Sequence, residues 1–486
     1  MSIASERRRP PVLPIDIIYP IVDLLALDFD TENLDLYVRS QRRLQREYYC
    51  KELLKLRIVS RTFCRIVSPR LFRTLKLTHT LSSITGFLAI IQSPWVRHHV
   101  QAVRYEYWDP GEYQCEAFRS DSNLIIVCTA DAEPLRYEII DPAVISDRSD
   151  SKEIRWMLNH ALSRLHELPS LLSLSIRFGE IAPPLSESDR IREDVSSVLD
   201  ALISLSASLT RPLESLSLTR LPPIHFPQYD HPGIRSLRAH LSFFEIHSSA
   251  TDSWSSLVTP TPPRQGPMSS CEPFYYHTLP RRLLPPPSTG TGLENLESLS
   301  LCFSDPIGIY YFTYSFAELH FPRLRALRLQ HAQFSDARDA EQFVAQHADT
   351  LLELHLLHCQ IAIELDHNVL LMDTDTMAIP GSAESVFGDD DDGSSAGWPA
   401  VSRPWSDIYF EFANKLEHLV YLEVGDAWWV SFPDKYVAYA PGEMMQFLEE
   451  GRAEDNRSLE KFKQTVMDRA RKLGIEYERE CFPPYK

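Results

Sequence analysis

The residues best suited to chemistry in this 486-residue chain are three that crowd one short stretch, His355, His358 and Cys359. Imidazole and thiolate groups so close together are zinc ligands by type. The same stretch, however, places Leu351, Leu354, Leu356 and Ile361 around them in the pattern of a core strand, so a structural role is the expectation. Phosphate chemistry has a weaker claim. Phosphate-cradling loops cluster glycines so that the backbone can approach the anion. The nearest segment here, Gly290-Thr291-Gly292, lacks both a third glycine and a following Lys-Ser/Thr. Asp373-Thr374-Asp375 resembles a cation-binding triplet but lies in a low-complexity acidic run, which reads as solvated loop. Neither a GxSxG elbow nor an HExxH motif occurs. No catalytic residue, cofactor or metal is expected, and the chain reads as a non-enzyme.

Charge narrows the partners. Lys and Arg total 49 against 67 Asp and Glu, a net −18, which opposes binding to nucleic acid or anionic membrane by the whole chain. The balance is uneven: Met1–Lys76 carries 15 basic and 9 acidic residues, or +6, leaving −24 for the rest. A basic N-terminal module joined to an acidic body follows. No apolar run reaches the ~18–20 residues of a membrane span, and Arg7, Arg8 and Arg9 are not followed by a secretory apolar segment. The eight cysteines are scattered without a CxxC pair, which suits a reducing compartment. An intracellular protein, cytoplasmic or nuclear, is expected. On that reading the Asn456–Ser458 sequon carries no weight.

The middle of the chain supplies the elements. A pattern of Leu-x-x-Leu-x-Leu followed by a small residue recurs at Leu171, Leu174, Ile176 and Gly179; at Leu324, Leu327, Leu329 and Ala332; and at Leu351, Leu354, Leu356 and Cys359. Weaker copies start at Leu213, Leu296 and Leu419, and a poorer one is Ile234 with Leu237. In such a repeat a short strand points alternate leucines into a core, and the small residue lets the chain turn back. Apolar residues at 3.6-residue spacing precede several copies, as with Ile154, Met157, Leu158, Ala161, Leu162 and Leu165. Positions 216 and 237 are 21 apart, and 299, 327 and 354 are 28 and 27 apart, periods suited to helix-containing leucine-rich repeats. The expected fold class is α/β, an irregular leucine-rich-repeat solenoid over residues 76–425.

Two insertions interrupt it. Residues 251–292 carry nine prolines, and 364–402 carry nine acidic residues with no Lys or Arg. Such segments cannot repay the entropy of ordering and are expected to be disordered and outside the core. Residues 426–486 are expected to end in a charged helical tail.

The N-terminal module has two apolar helical faces. Ile17, Ile18, Ile21, Leu24 and Leu25 line one after Leu13-Pro14; Leu56, Val59, Phe63 and Val67 line the other. Short amphipathic helices bury little alone, so these faces call for a partner. Leu-Pro opening a helix, then Leu56-x-x-Val59-Ser60-x-x-Phe63, then Pro69-x-Leu71-Phe72, resembles an F-box, in the form found in fungal F-box proteins with degenerate leucine-rich repeats. The resemblance is specific over 12–75 and generic beyond it. Pro20 inside the first helix and the long 26–50 spacer depart from the family pattern.

The resemblance implies a three-helix F-box docked on the Skp adaptor of a cullin–RING ubiquitin ligase, with the repeats holding a protein target. Carried over, the adaptor-facing residues are Leu13, Pro14, Ile17, Ile18, Ile21, Leu25, Leu56, Val59, Ser60 and Phe63, with Leu71 and Phe72 completing the contact. The alternative is a repeat scaffold with no link to ubiquitination.

Overall fold

The structure is a computed structural model. It describes residues 55, 61–107, 126–127, 138–139, 151–179, 185–248, 274–285, 293–303, 319–334, 339–364, 403–425, 436–439, 446–448 and 453–475. Its centre is a nine-stranded parallel sheet: β1 Thr74–Thr78, β2 Ala102–Glu106, β3 Ser173–Arg177, β4 Ser215–Leu221, β5 Phe243–Ser248, β6 Ser298–Phe303, β7 Ala326–Gln330, β8 Glu353–Leu357 and β9 Tyr421–Gly425. Sheet order is chain order, and β1 and β9 are its two edges, so the sheet does not close into a barrel.

Alternation sets the register. Leu75, Val103, Leu174, Leu216, Phe244, Leu299, Leu327, Leu354 and Leu422 align across the strands as one inward row. Leu77, Tyr105, Ile176, Leu218, Ile246, Leu301, Leu329, Leu356 and Val424 form a second. Sliding any strand by one residue would turn its apolar side to the polar face, so the two rows lock the register. After the helix α1 Arg61–Leu71, which leads into β1, the helices α2 Leu81–Gln92, α3 Ser151–Ser163, α4 Leu185–Ser208, α5 Pro232–Arg238, α6 Asp339–Gln346, α7 Trp405–Lys415 and α8 Ala453–Lys472 pack against them.

The backbone repeats more faithfully than the side chains. At each of the eight strand junctions two consecutive N–H groups donate to one carbonyl of the preceding unit. Gln101 and Ala102 bond Arg73 O, Leu172 and Ser173 bond Gln101 O, and the series continues to Val420 and Tyr421 on Leu352 O, at 2.7–3.1 Å. One unit therefore occurs nine times, with its first apolar residue at Phe72, Val100, Leu171, Leu213, Leu241, Leu296, Leu324, Leu351 and Leu419. Its tightest spacing is 27–28 residues.

Three sequence expectations are corrected here. Ile234 and Leu237 are not a strand but one face of α5, because an i, i+3 pair serves a helix equally well. Pro232 at the first turn and the His231 ring, which accepts from Gly233 N–H at 3.0 Å, start that helix. The unit lies at Leu241, Phe244 and Ile246, so the 21-residue period becomes 28. Second, residues 251–292 are not all outside the core. Phe274–Leu283 is a wide π-type helix, and Phe274, Leu279, Leu283 and Leu284 are buried. His225 with Thr278 at 2.8 Å and Arg282 with Asp230 at 2.6 Å hold it down. The guanidinium of buried Arg238 donates to its last-turn carbonyl at Arg282. Third, the boundary at 75 cuts through β1, and residues 426–486 hold more than a tail. Strands Tyr436–Tyr439 and Gln446–Leu448 join Gln333–Phe334 and Gln360–Glu364 in a second, four-stranded sheet. The acidic stretch 365–402 lies outside the described residues.

The two ends of the large sheet are closed differently. At the start, α1 buries Ile66 and Val67, and Phe72 packs on the core. At the finish, α8 lies parallel to α7. Ser406 N–H at the start of α7 donates to Asp455 Oδ1 at 2.8 Å, and Arg469 donates to Leu416 O and Ala413 O at the other end, at 2.7 and 2.6 Å. A carboxylate at a helix start and a cation at its finish match the helix dipole.

Candidate protein-interaction surfaces

Of the twelve residues assigned to adaptor docking, Leu13, Pro14, Ile17, Ile18, Ile21, Leu25, Leu56, Val59 and Ser60 lie outside the described residues. Phe63 and Leu71 are half-buried on α1. One turn beyond Phe63, Val67 is fully buried. Phe72 closes the F-box-like motif and is also the first apolar residue of the first strand unit, packed against the core. Motif and sheet share it, so no linker separates them.

The second surface is the sheet face turned away from the helices. Its central row reads Lys76, Arg104, Ser175, Ser217, Glu245, Ser300, Arg328, His355 and Glu423. Cross-strand pairs organise it. Lys76 pairs with Glu106. Ser217 Oγ donates to Glu245 Oε2 at 2.6 Å, and His355 Nδ1 lies 2.6 Å from Glu423 Oε2. Partial burial acts to raise the Glu423 carboxyl, but the His355 hydrogen bond and the charges of His355 and Arg328 outweigh it and hold it below its ordinary value. Sequence reasoning overlooked this row. Its signal was present in the residues that alternate with the core leucines.

The Cys/His group does not converge. His355 faces Glu423, His358 stacks on His331 with ring centroids 4.7 Å apart, and the Cys359 thiol donates to Leu329 O at 3.4 Å. Burial pushes the Cys359 pKa up to about 12, which keeps the thiol protonated and unsuited to metal or nucleophilic work. Among the described residues no group of three His, Cys, Asp or Glu is placed to hold a metal ion. Gly290–Gly292 and Asp373–Asp375 lie outside them. His331 and His358 leave their strands with φ of 55° and 52°, a conformation Asn or Gly adopts more readily. Two cavities of about 10 Å³ each, one lined by Tyr229 and Arg238 and one by Tyr107 and Asp194, have room for about a water molecule. The second is tight for a reason: a Cβ on Gly179 would sit 2.4 Å from the Tyr107 ring. What the described residues offer a partner is therefore surface. No helix among them is long and apolar enough to cross a membrane.

No model of a known protein family matches the chain, and no curated protein matches it.

Proposed function

We propose that this chain is the target-binding subunit of a Skp–cullin–F-box type ubiquitin ligase. Residues 12–75 act as the F-box that docks the Skp adaptor, and the sheet domain, read as an irregular leucine-rich-repeat solenoid, holds a protein target for ubiquitin transfer by other subunits. The observation that carries the reading is Phe72, which ends the F-box-like motif and begins the first of nine stacked strand units. A target held on the sheet would then keep a fixed geometry relative to the adaptor, as delivery for transfer requires. Nine units in chain order, four of the spacings between them 27 or 28 residues, support the solenoid half of the reading.

Adaptor co-purification tests it. Buried interface anchors contribute about 1.5–3 kcal/mol each by area, so removing two should weaken docking about a hundredfold or more. Leu13→Ala with Pro14→Ala should abolish adaptor recovery while the sheet domain keeps its thermal midpoint and still binds its target. If the unaltered chain never recovers the adaptor, the protein is a repeat scaffold with no link to ubiquitination.

A further inference from the structure

Three arginines meet one carboxylate on the helix side of the sheet. Arg235 and Arg238 lie one turn apart on α5, Asp230 ends the short turn Pro227–Asp230 before it, and Arg282 belongs to the Phe274–Leu283 helix. Asp230 Oδ1 accepts from Arg282 at 2.6 Å, and the Asp230 carbonyl accepts from Arg235 at 2.8 Å. Arg238 is buried and donates to the carbonyls of Ile234, at 3.3 Å, and of Arg282. Burial, with the charge of Arg235 adding, lowers the Arg238 pKa to about 10 while Asp230 opposes the shift, so the guanidinium stays charged at neutral pH. Among the described residues no carboxylate pairs with Arg235 or Arg238. Three cations therefore share Asp230, which leaves the cluster at +2 within a chain of net −18. A buried cation without an opposite charge is costly, and this fold supplies none for Arg238.

We propose that Arg235, Arg238 and Arg282 form a site for one phosphate dianion, inorganic or the monoester of a small molecule, which ties the Phe274–Leu283 helix to α5. Charge selects the ligand. A dianion neutralises the cluster, whereas a carboxylate or a phosphodiester carries one charge and leaves half of it unmet. Guanidinium forks also match phosphate oxygens two at a time. Arg235 and Arg282 are exposed and can reach the anion directly. Arg238 lends its charge from the apolar interior, where attraction is screened least. The apolar residues of α5, Ile234 and Leu237, pack into the core beneath the sheet's inward rows, so the cluster lies apart from the outward polar row. The anion site thus stands or falls independently of the ligase reading.

Calorimetry and thermal unfolding of the full chain at pH 7.5, with ionic strength held constant by chloride, test the site. Inorganic phosphate and glycerol 3-phosphate are the dianion probes, since a second phosphate pKa of about 6 leaves them doubly charged there. Dimethyl phosphate is the singly charged control. At least one dianion should bind about tenfold or more tighter than the control and raise the thermal midpoint. Which of the two binds tighter tells the free anion from the ester as the source. Arg235→Gln with Arg282→Gln, both at exposed positions, should weaken that binding about tenfold or more. Asp230→Asn removes the competing carboxylate and should tighten it about threefold or more. If the double variant does not fold, Asp230→Asn decides alone. Dianions that bind no tighter than dimethyl phosphate, binding untouched by the double variant, or binding that Asp230→Asn fails to tighten overturns the proposal.

Discussion

The two ends of the sheet meet the same physical problem with different chemistry. An edge strand and its apolar flank must be covered, or they become a site for unwanted association. Just before β1 stands α1, whose buried residues are Ile66, Val67 and Ser68, with Pro69 in its last turn. At the β9 end the cover is α8, which buries Leu459, Phe462, Val466 and Ala470 and also bonds both ends of α7 through Asp455 and Arg469. The C-terminal end gives its helix entirely to the protein's own core. The helix before β1 instead buries Ile66 and Val67 apart from the cluster that the sheet leucines form.

The largest effect should therefore come from the C-terminal end. Phe462 is fully buried against Tyr409 and Phe412, and Phe462→Ala should cost about 3–5 kcal/mol. Val67 is equally buried, but Val67→Ala removes two methyl groups and should cost only about 1–2 kcal/mol on a scale of ~0.8 per buried carbon. Chemical denaturation of the two variants measures the difference. A Val67→Ala loss matching that of Phe462→Ala would show that α1 is packed no less firmly than α8.

Acid should separate the ends next. Among the described residues the buried histidines are His331 and His347, both toward the C-terminal end. Burial lowers His331 to about 3, with His358 and His247 adding to the effect. Burial lowers His347 to about 4 although its bond to Phe343 O opposes the shift. His347 needs its neutral form: Nδ1–H donates to Phe343 O at 2.7 Å and Nε2 accepts from Phe321 N–H at 2.9 Å. A second ring proton would face that N–H. Folded values below the unfolded ~6.5 mean that the unfolded chain binds more protons, so stability is full above pH 6.5 and falls as pH drops toward 4 and 3. The loss at pH 4.5 should reach roughly 2 kcal/mol per histidine. Hydrogen exchange should show β7 and β8 losing protection before β1–β3. His331→Asn, which suits φ 55° and does not titrate there, should blunt the loss. Uniform loss across the sheet would contradict this asymmetry.

Much of this architecture was legible, and the misses have one cause. Leucine at fixed spacing located β3, β4, β6, β7, β8 and β9, since those strands do use leucine in their first inward row. Where the inward residues are Val103 and Tyr105, or Phe244 and Ile246, the same unit escaped notice. The feature that recurs within this chain is a backbone junction, two N–H groups on one carbonyl, which any side chain can supply. The Phe274–Leu283 helix was missed because proline density suggested disorder, whereas apolar anchors and the buried Arg238 hold it in place. The polar sheet row needed only the residues between the leucines. Which of its members pair, as His355 does with Glu423, depends on strands 68 residues apart in sequence.

The smallest test concerns the bracket itself. Asp455 is wholly buried in the first turn of α8, yet its carboxylate accepts the Ser406 N–H that opens α7. Helix starts leave N–H groups without intrahelical acceptors, and α7 begins after Pro404, which offers no side-chain cap. Asp455 fills that role from another helix and brings negative charge to two helix starts together. Asp455→Ala leaves the donor buried and unmet, so it should cost about 1.5–3 kcal/mol. Asp455→Asn keeps an acceptor of similar shape, loses the charge–dipole part, and should cost about 1 kcal/mol. Denaturant midpoints with unchanged slopes would measure both. If the two variants lose the same amount, the charge and not the hydrogen bond holds the C-terminal cover. If neither loses more than ~0.5 kcal/mol, the scale of an ordinary surface substitution, the packing of Phe462 alone closes that end and the contrast with α1 reduces to apolar area.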